Sequence, residues 1–172
     1  LNFFNKNGEW SSEIILLDRD RVEVKFLNKI KEPINSLNIE LAICLVKKNP
    51  METILQKATE LGVSKITPII SERTEVKELN LERAKKIIIE ATEQSNQLTP
   101  PQISKTTKLK DFLKDLDSST RLLFADVNSK YKLETVDIKK RQSVSVLVGP
   151  EGDFSPRERE QILTLSNLTS FT

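Results

Sequence analysis

One stretch constrains this chain more than any other: Val144-Ser145-Val146-Leu147-Val148-Gly149-Pro150-Glu151-Gly152-Asp153-Phe154-Ser155-Pro156-Arg157-Glu158. It opens with apolar, β-branched residues, the pattern of a buried strand. It breaks at Gly149-Pro150. It resumes with the signals of a helix start: Ser155 as N-cap, Pro156 at the first helical position, and Glu158 placed to close a capping box. The loop therefore sits at the carboxyl end of a strand, where α/β sheets bind ligands. Gly149 and Gly152 let backbone groups approach a ligand with no Cβ in the way, and Glu151 is held between them. A plain strand–turn–helix connection would use the same residues. The phosphate-cradling patterns GxGxxG and GxxxxGK(S/T) are absent.

The chain from Leu37 onward alternates strands and helices in the same way. Ile39 to Val46 reads as a strand. Asn49 then caps a helix, with Pro50 at its first position and Glu52 reaching back as in a capping box. Ile54, Leu55, Ala58 and Leu61 form its apolar stripe, and Gly62 ends it. Val63 to Ile70 is the next strand. Asn80 starts a second helix with Ala84, Ile87, Ile88 and Ala91 inward, which stops before Pro100-Pro101. A short helix spans Leu109 to Leu116, and Arg121 to Ala125 is a buried strand. Asn128 to Arg141 is a polar connection. The alternation implies an α/β domain, 37–172, with a mostly parallel sheet flanked by helices.

Residues 1–36 read differently. Leu1 to Phe4 precede a turn at Asn5-Lys6-Asn7-Gly8, where Asn-Gly signals a hairpin. Trp10 to Leu17 and Arg21 to Ile30 follow as strands. Val22, Val24 and Phe26 alternate with Arg21, Glu23 and Lys25, the pattern of a half-buried strand. Three strands are too few for a core of their own, so this segment reads as the tail of a small β-barrel, and Lys31 to Ser36 as the linker. The chain starts inside one strand and ends at Phe171-Thr172 as another begins, so both ends read as incomplete.

Composition removes several chemistries. The 172 residues include no histidine and one cysteine. Ser-His-Asp and Cys-His catalysis, His-ligated metals and internal disulfides are thereby excluded. Cys44 lies in the apolar run Leu41 to Val46 and reads as a small buried hydrophobe. No run approaches a membrane span and no signal peptide is visible, which implies a cytoplasmic protein. The net charge of +2 is too mild to identify a nucleic-acid partner, so local clustering must carry that argument.

Polar clusters fall where strands end or helices begin. Arg73, just beyond a buried strand, suits an anion contact, although a solvated loop arginine looks the same. Glu93, Gln94 and Gln97 share successive turns of one helix, as would an ordinary exposed face. Lys47, Lys48, Lys57, Arg73 and Lys77 could form a basic rim suited to phosphates; charge runs are also commonly solvated faces. Residue-level reasoning reaches a ligand loop at 149–152 with a basic rim, and no reaction.

Several stretches, in order, resemble the small-subunit ribosomal RNA methyltransferase E family. They are Met51 to Val63 (with Gln56-Lys57-Ala58-Thr59-Glu60-Leu61-Gly62-Val63), Ile66-Thr67-Pro68 with Ser71 to Lys77, Glu90 to Ser95, and Val148-Gly149-Pro150-Glu151-Gly152 with Phe154, Ser155 and Glu158. The family belongs to the SPOUT, or α/β-knot, superfamily, and its N-terminal part is a PUA-like RNA-binding barrel, which residues 1–36 resemble. Two positions depart from the pattern: Gln97 stands where the family has arginine, and Asp153 where it often has a second glycine. The family's C-terminal segment, which closes the knot and completes the cofactor pocket, is expected beyond Thr172.

The resemblance implies methylation of uridine N3 in 16S ribosomal RNA of the small subunit by a homodimer. S-adenosyl-L-methionine is the methyl donor, S-adenosyl-L-homocysteine the product, and no metal is required. It assigns anion stabilisation to Arg73, proton handling to Glu93 and orientation of the base to Gln94. It assigns the cofactor pocket to Leu123, Ala125, Asp126, Leu147, Val148, Gly149, Pro150, Glu151 and Gly152, and RNA contacts to the basic rim. The rival readings are a non-catalytic RNA-binding or ribosome-assembly module, and a methyltransferase of another RNA position.

Overall fold

The structure is a computed structural model and describes residues 1–33, 38–133 and 142–172. The domain boundary expected at 36/37, the end of the linker and the 134–141 part of the polar connection lie outside the described residues.

The chain begins with three strands, β1 (Asn2–Asn5), β2 (Gly8–Leu17) and β3 (Val22–Lys31), paired antiparallel in the order β1-β2-β3. Gly8 has φ +138 and its missing Cβ leaves room for the Lys31 carbonyl, which makes the glycine of Asn-Gly obligatory here. The half-buried character expected of β3 is not observed. Val22 is 55% and Phe26 56% exposed. A three-stranded sheet has two faces, and the contacts of β2 and β3 run chiefly within this sheet.

From Ile39 the chain builds a second, parallel sheet. Its elements are β4 (Ile39–Cys44), α1 (Lys48–Glu60), β5 (Lys65–Ile70), α2 (Leu81–Gln94), β6 (Gln102–Ile103), β7 (Thr107–Lys108), α3 (Leu109–Asp115), β8 (Arg121–Ala125), β9 (Val144–Val148), α4 (Pro156–Leu163) and β10 (Leu168–Phe171). The strand order is β10-β8-β9-β4-β5-β6, with β7 also on β5, and every pairing is parallel. This is the α/β-knot class of sheet expected from the sequence.

Helices cover both faces, so the strands read as apolar runs on both sides. On one face Met51, Leu55 and Ala58 of α1 and Ala84 and Ile88 of α2 pack on Ile43, Leu45 and Ile66. On the other, Phe112 of α3 and Ile162 of α4 pack on Ala42, Cys44, Leu122, Phe124 and Leu147.

Three details of α1 differ from expectation. The helix starts at Lys48, with Lys47 as an N-cap that makes no side-chain capping bond. Glu52 does not reach back to close a capping box. It meets Arg83 of α2 in a two-pronged ion pair at 2.5 and 2.7 Å, and a fork of charged bonds outcompetes a single amide donor. Leu61, expected in the apolar stripe, is the C-cap residue and is exposed, while Gly62 takes φ +82 just beyond it.

Phe154 joins the glycine loop to the core. Its ring meets Phe124 edge-on, with centroids 5.6 Å apart. A Cβ placed on Gly149 would come within 3.0 Å of that ring. Phe154→Ala is therefore expected to cost about 3–5 kcal/mol of unfolding free energy. A urea midpoint within error of the parent protein would contradict that anchoring.

Candidate functional site

The sheet has its switch point between β9 and β4. From β4 the chain crosses outward to β5 over one face, and from β9 it leaves through α4 over the other. The loops that follow the two strands diverge there, and α/β sheets bind ligands at such a carboxyl edge. The glycine loop, 149–154, follows β9, and Lys47 and Lys48 follow β4. Nearby, on the side of α1 and α2, a cavity of about 350 Å³ opens among Leu45, Val46, Met51, Val76, Leu79 and Arg83.

The loop is a tight turn closed by the Asp153 amide donating to the Pro150 carbonyl at 2.9 Å. Neither glycine in it carries positive φ; Asp153 does, at +59. The left-handed residue is thus Asp153, one of the two positions expected to depart from the pattern of the resemblance. Aspartate tolerates this conformation better than most side chains, at a cost on the order of 1 kcal/mol, and its Oδ1 accepts from the Phe154 amide at 2.7 Å. The glycines serve close approach instead. Gly149 lies under the Phe154 ring, and a Cβ on Gly152 would touch only Arg73, at 4.0 Å. Among the described residues the amides of Glu151 and Gly152 donate to no protein group, and both residues are exposed.

Arg73 is brought to this loop. The Arg73 Nη1 donates to the Gly152 carbonyl at 2.9 Å, across 79 residues of sequence. The turn that carries Arg73 is held by the Ser71 amide donating to Thr74 Oγ1 at 2.9 Å, with the two hydroxyls 2.8 Å apart. The same hydroxyls face Cys44. Burial pushes the Cys44 thiol up to about 11, against the lowering effect of the Ser71 and Thr74 hydrogen bonds. Cys44 is thus a neutral buried thiol, as its apolar context implied.

The sequence-based candidates divide in space. Lys47, Lys48, Arg73 and Lys77 share the carboxyl edge with Val148 to Gly152 and are exposed. Lys77 donates to the Thr74 carbonyl. Lys57 lies toward the other end of α1 and is paired with Glu60 at 2.7 Å. Glu93 and Gln94 are exposed at the end of α2, which starts beyond the Arg73 loop and runs 14 residues, about 20 Å, back to the amino edge. Gln97 marks that edge by donating to the Glu60 carbonyl at 3.3 Å. The structure does not bring Glu93 and Gln94 to the glycine loop of the same chain.

Three expected pocket residues face inward. Leu123 and Leu147 are core side chains, 2% and 0% exposed, so only their backbone is available. Asp126, also buried, receives Arg159 of α4 at 2.7 and 3.3 Å and the Asn128 amide at 3.0 Å. Burial opposes ionisation of Asp126, but these donors outweigh it and hold its carboxyl below the usual carboxylate range. Asp126 therefore fastens α4 to the end of β8. Half-buried Ala125 ends that strand.

Residues 31–170 match the model of the RNA methyltransferase domain family, so the class of protein is that of RNA methyltransferase domains. The ribosomal RNA small subunit methyltransferase E of Rickettsia conorii is 31% identical over 176 residues, covering 100% of this chain and 71% of its own. That of Aquifex aeolicus is 39% identical over 114 residues, 64% of this chain and 48% of its own. The crystal structure of the Neisseria gonorrhoeae enzyme of the same name, bound to S-adenosyl methionine, superposes with a TM-score of 0.82 at 28% identity, covering 100% of this chain and 74% of that one. The chain belongs to the ribosomal RNA small subunit methyltransferase E family. It spans between about half and three quarters of the length of these three proteins.

The Asp126–Arg159 pair has a pH signature. A depressed carboxylate pKa stabilises the fold fully above the unfolded value of about 4, and that contribution fades as pH falls through the lower folded value. Arg159→Gln is expected to be less stable than the parent at pH 7, with the gap narrowing below about pH 4. A gap that stays constant from pH 7 to pH 3 in urea titrations would contradict the pairing.

Proposed function

We propose that this chain uses S-adenosylmethionine to methylate N3 of a uridine in 16S ribosomal RNA of the small subunit, and does so as a homodimer. The observation that carries the proposal is the bond from Arg73 to the Gly152 carbonyl, which ties a cationic side chain to the ligand loop. Family membership and the S-adenosyl methionine bound by the Neisseria gonorrhoeae relative support it.

The loop suits such a cofactor. It offers the free amides of Glu151 and Gly152 and a surface that no Cβ obstructs at Gly152. Bound there, S-adenosylmethionine supplies a methyl group activated by its sulfonium. Val148 to Gly152 hold it through the backbone. The harder demand lies with the acceptor, because uridine N3 carries a proton that must leave before or during attack. With one N–H on Gly152, the remaining Arg73 donors stabilise the uridine anion or position a phosphate. Lys47, Lys48 and Lys77 receive the RNA backbone on the same edge. A proton acceptor must lie within hydrogen-bond reach of N3, so Glu93 and Gln94 take part only if a second copy supplies them. Their role is thereby tied to the homodimer. Residues 1–33 add a PUA-like RNA-binding surface.

The test is to incubate the protein with methyl-labelled S-adenosylmethionine and unmodified small subunits, then identify the labelled nucleoside. Labelled 3-methyluridine is expected. A ribose-methylated nucleoside discards the N3 chemistry, and RNA retention with no label favours a non-catalytic RNA-binding module. In the same assay Arg73→Ala is expected to lower kcat about 100-fold while changing cofactor affinity far less; equal losses in both would remove Arg73 from the RNA side.

A further inference from the structure

Glu158 does more than a helix start requires. In a capping box the glutamate needs one carboxylate oxygen for the N-cap amide. Here Oε2 accepts from the Ser155 amide at 3.1 Å, and the Glu158 amide donates to Ser155 Oγ at 3.2 Å, which completes the box. The second oxygen, Oε1, accepts from the Glu72 amide at 2.8 Å, across 86 residues of sequence. The residue is 7% exposed. A buried carboxylate is costly unless its oxygens are satisfied, and these two are satisfied by amides of different loops.

Glu72 immediately precedes Arg73, and Arg73 returns to Gly152. The contacts therefore close a ring: Glu158 to Glu72, Arg73 to Gly152, and the loop on through Ser155 to Glu158. The Ser71–Thr74 turn stiffens the far side of that ring. We infer that Glu158 is a positioning residue of this site: its buried carboxylate clamps the Arg73 loop to the glycine loop and so fixes where the guanidinium stands. The catalytic consequence rests on the methyl-transfer reading; the clamp itself does not.

The test uses Glu158→Gln. The amide oxygen can accept from one loop, but the amide nitrogen then faces the other donor. Loss of a charge-assisted bond predicts at least about tenfold faster hydrogen exchange at the Glu72 amide. It also predicts a kcat for methyl transfer lowered about tenfold or more, with KM for S-adenosylmethionine within about threefold. Because Glu158 acts through Arg73, the substitution should add less than about twofold in an Arg73→Ala background. Ser155→Ala separates cap from clamp: it removes the capping hydroxyl and should leave Glu72 protected and kcat within about threefold of the parent.

Unchanged Glu72 exchange in Glu158→Gln overturns the clamp, whatever the protein catalyses. Ser155→Ala that speeds Glu72 exchange at least about tenfold over the parent also overturns it, since the carboxylate is then only a cap; this arm stands even if Glu158→Gln fails to fold. Losses from Glu158→Gln and Arg73→Ala that multiply overturn the action through Arg73. A parent protein that transfers no methyl group refutes the functional reading and the catalytic consequence with it, while the exchange result still decides the clamp.

Discussion

The parallel pairing of β9 between β4 and β8 is the constraint on which the rest depends. A strand hydrogen-bonded on both sides and covered on both faces is built chiefly of apolar residues, and this one carries no proline before its end. Val144 to Val148 fit that description, with buried Ser145 the one polar residue among them, and Gly149-Pro150 end the strand where the two crossovers diverge. The ligand loop is thus a consequence of where the central strand runs out. The basic side chains of the neighbouring strand ends meet it because parallel strands deliver all their carboxyl ends to one edge.

Helix α4 then holds the loop in place with two adjacent residues of opposite charge. Glu158 points its carboxylate to the Arg73 loop beyond β5. Arg159 points its guanidinium to Asp126 at the end of β8. Both contacts satisfy a buried carboxylate, and they lie on opposite sides of the loop. A helix of eight residues is too short to be stable by propensity. Its capping box, its Pro156 start and these two anchors make it part of the sheet.

Much of this was legible in the sequence where the signal is local. The Arg121–Ala125 and Val144–Val148 strands match residue for residue, because a strand buried on both faces leaves a mostly apolar run, broken here only by Arg121 at the start of one and Ser145 within the other. The Ser155 box and the Gly62 stop are each written within a few residues. What stayed hidden is non-local or very short. Glu52 looked like a capping residue, and its partner Arg83 lies 31 residues away. Asp126 looked like a pocket residue, and its partner lies 33 away. The two-residue strands β6 and β7 are too brief for any periodicity. The distance of Glu93 and Gln94 from the loop was available in principle: a helix that follows a parallel strand must return to the amino edge before the next one begins.

The central claim is that one edge of the sheet, centred on 149–153, receives the cofactor. Amide chemical shifts of the isotope-labelled protein, followed as S-adenosylmethionine is added, test it most directly. The account predicts that shifts concentrate at Gly149 to Phe154, at the ends of β8 and β10 and at Arg73, while Gly62 to Lys65 and Gln97 at the amino edge stay put. Shifts confined to the amino edge, with the glycine loop unmoved at saturation, would contradict it.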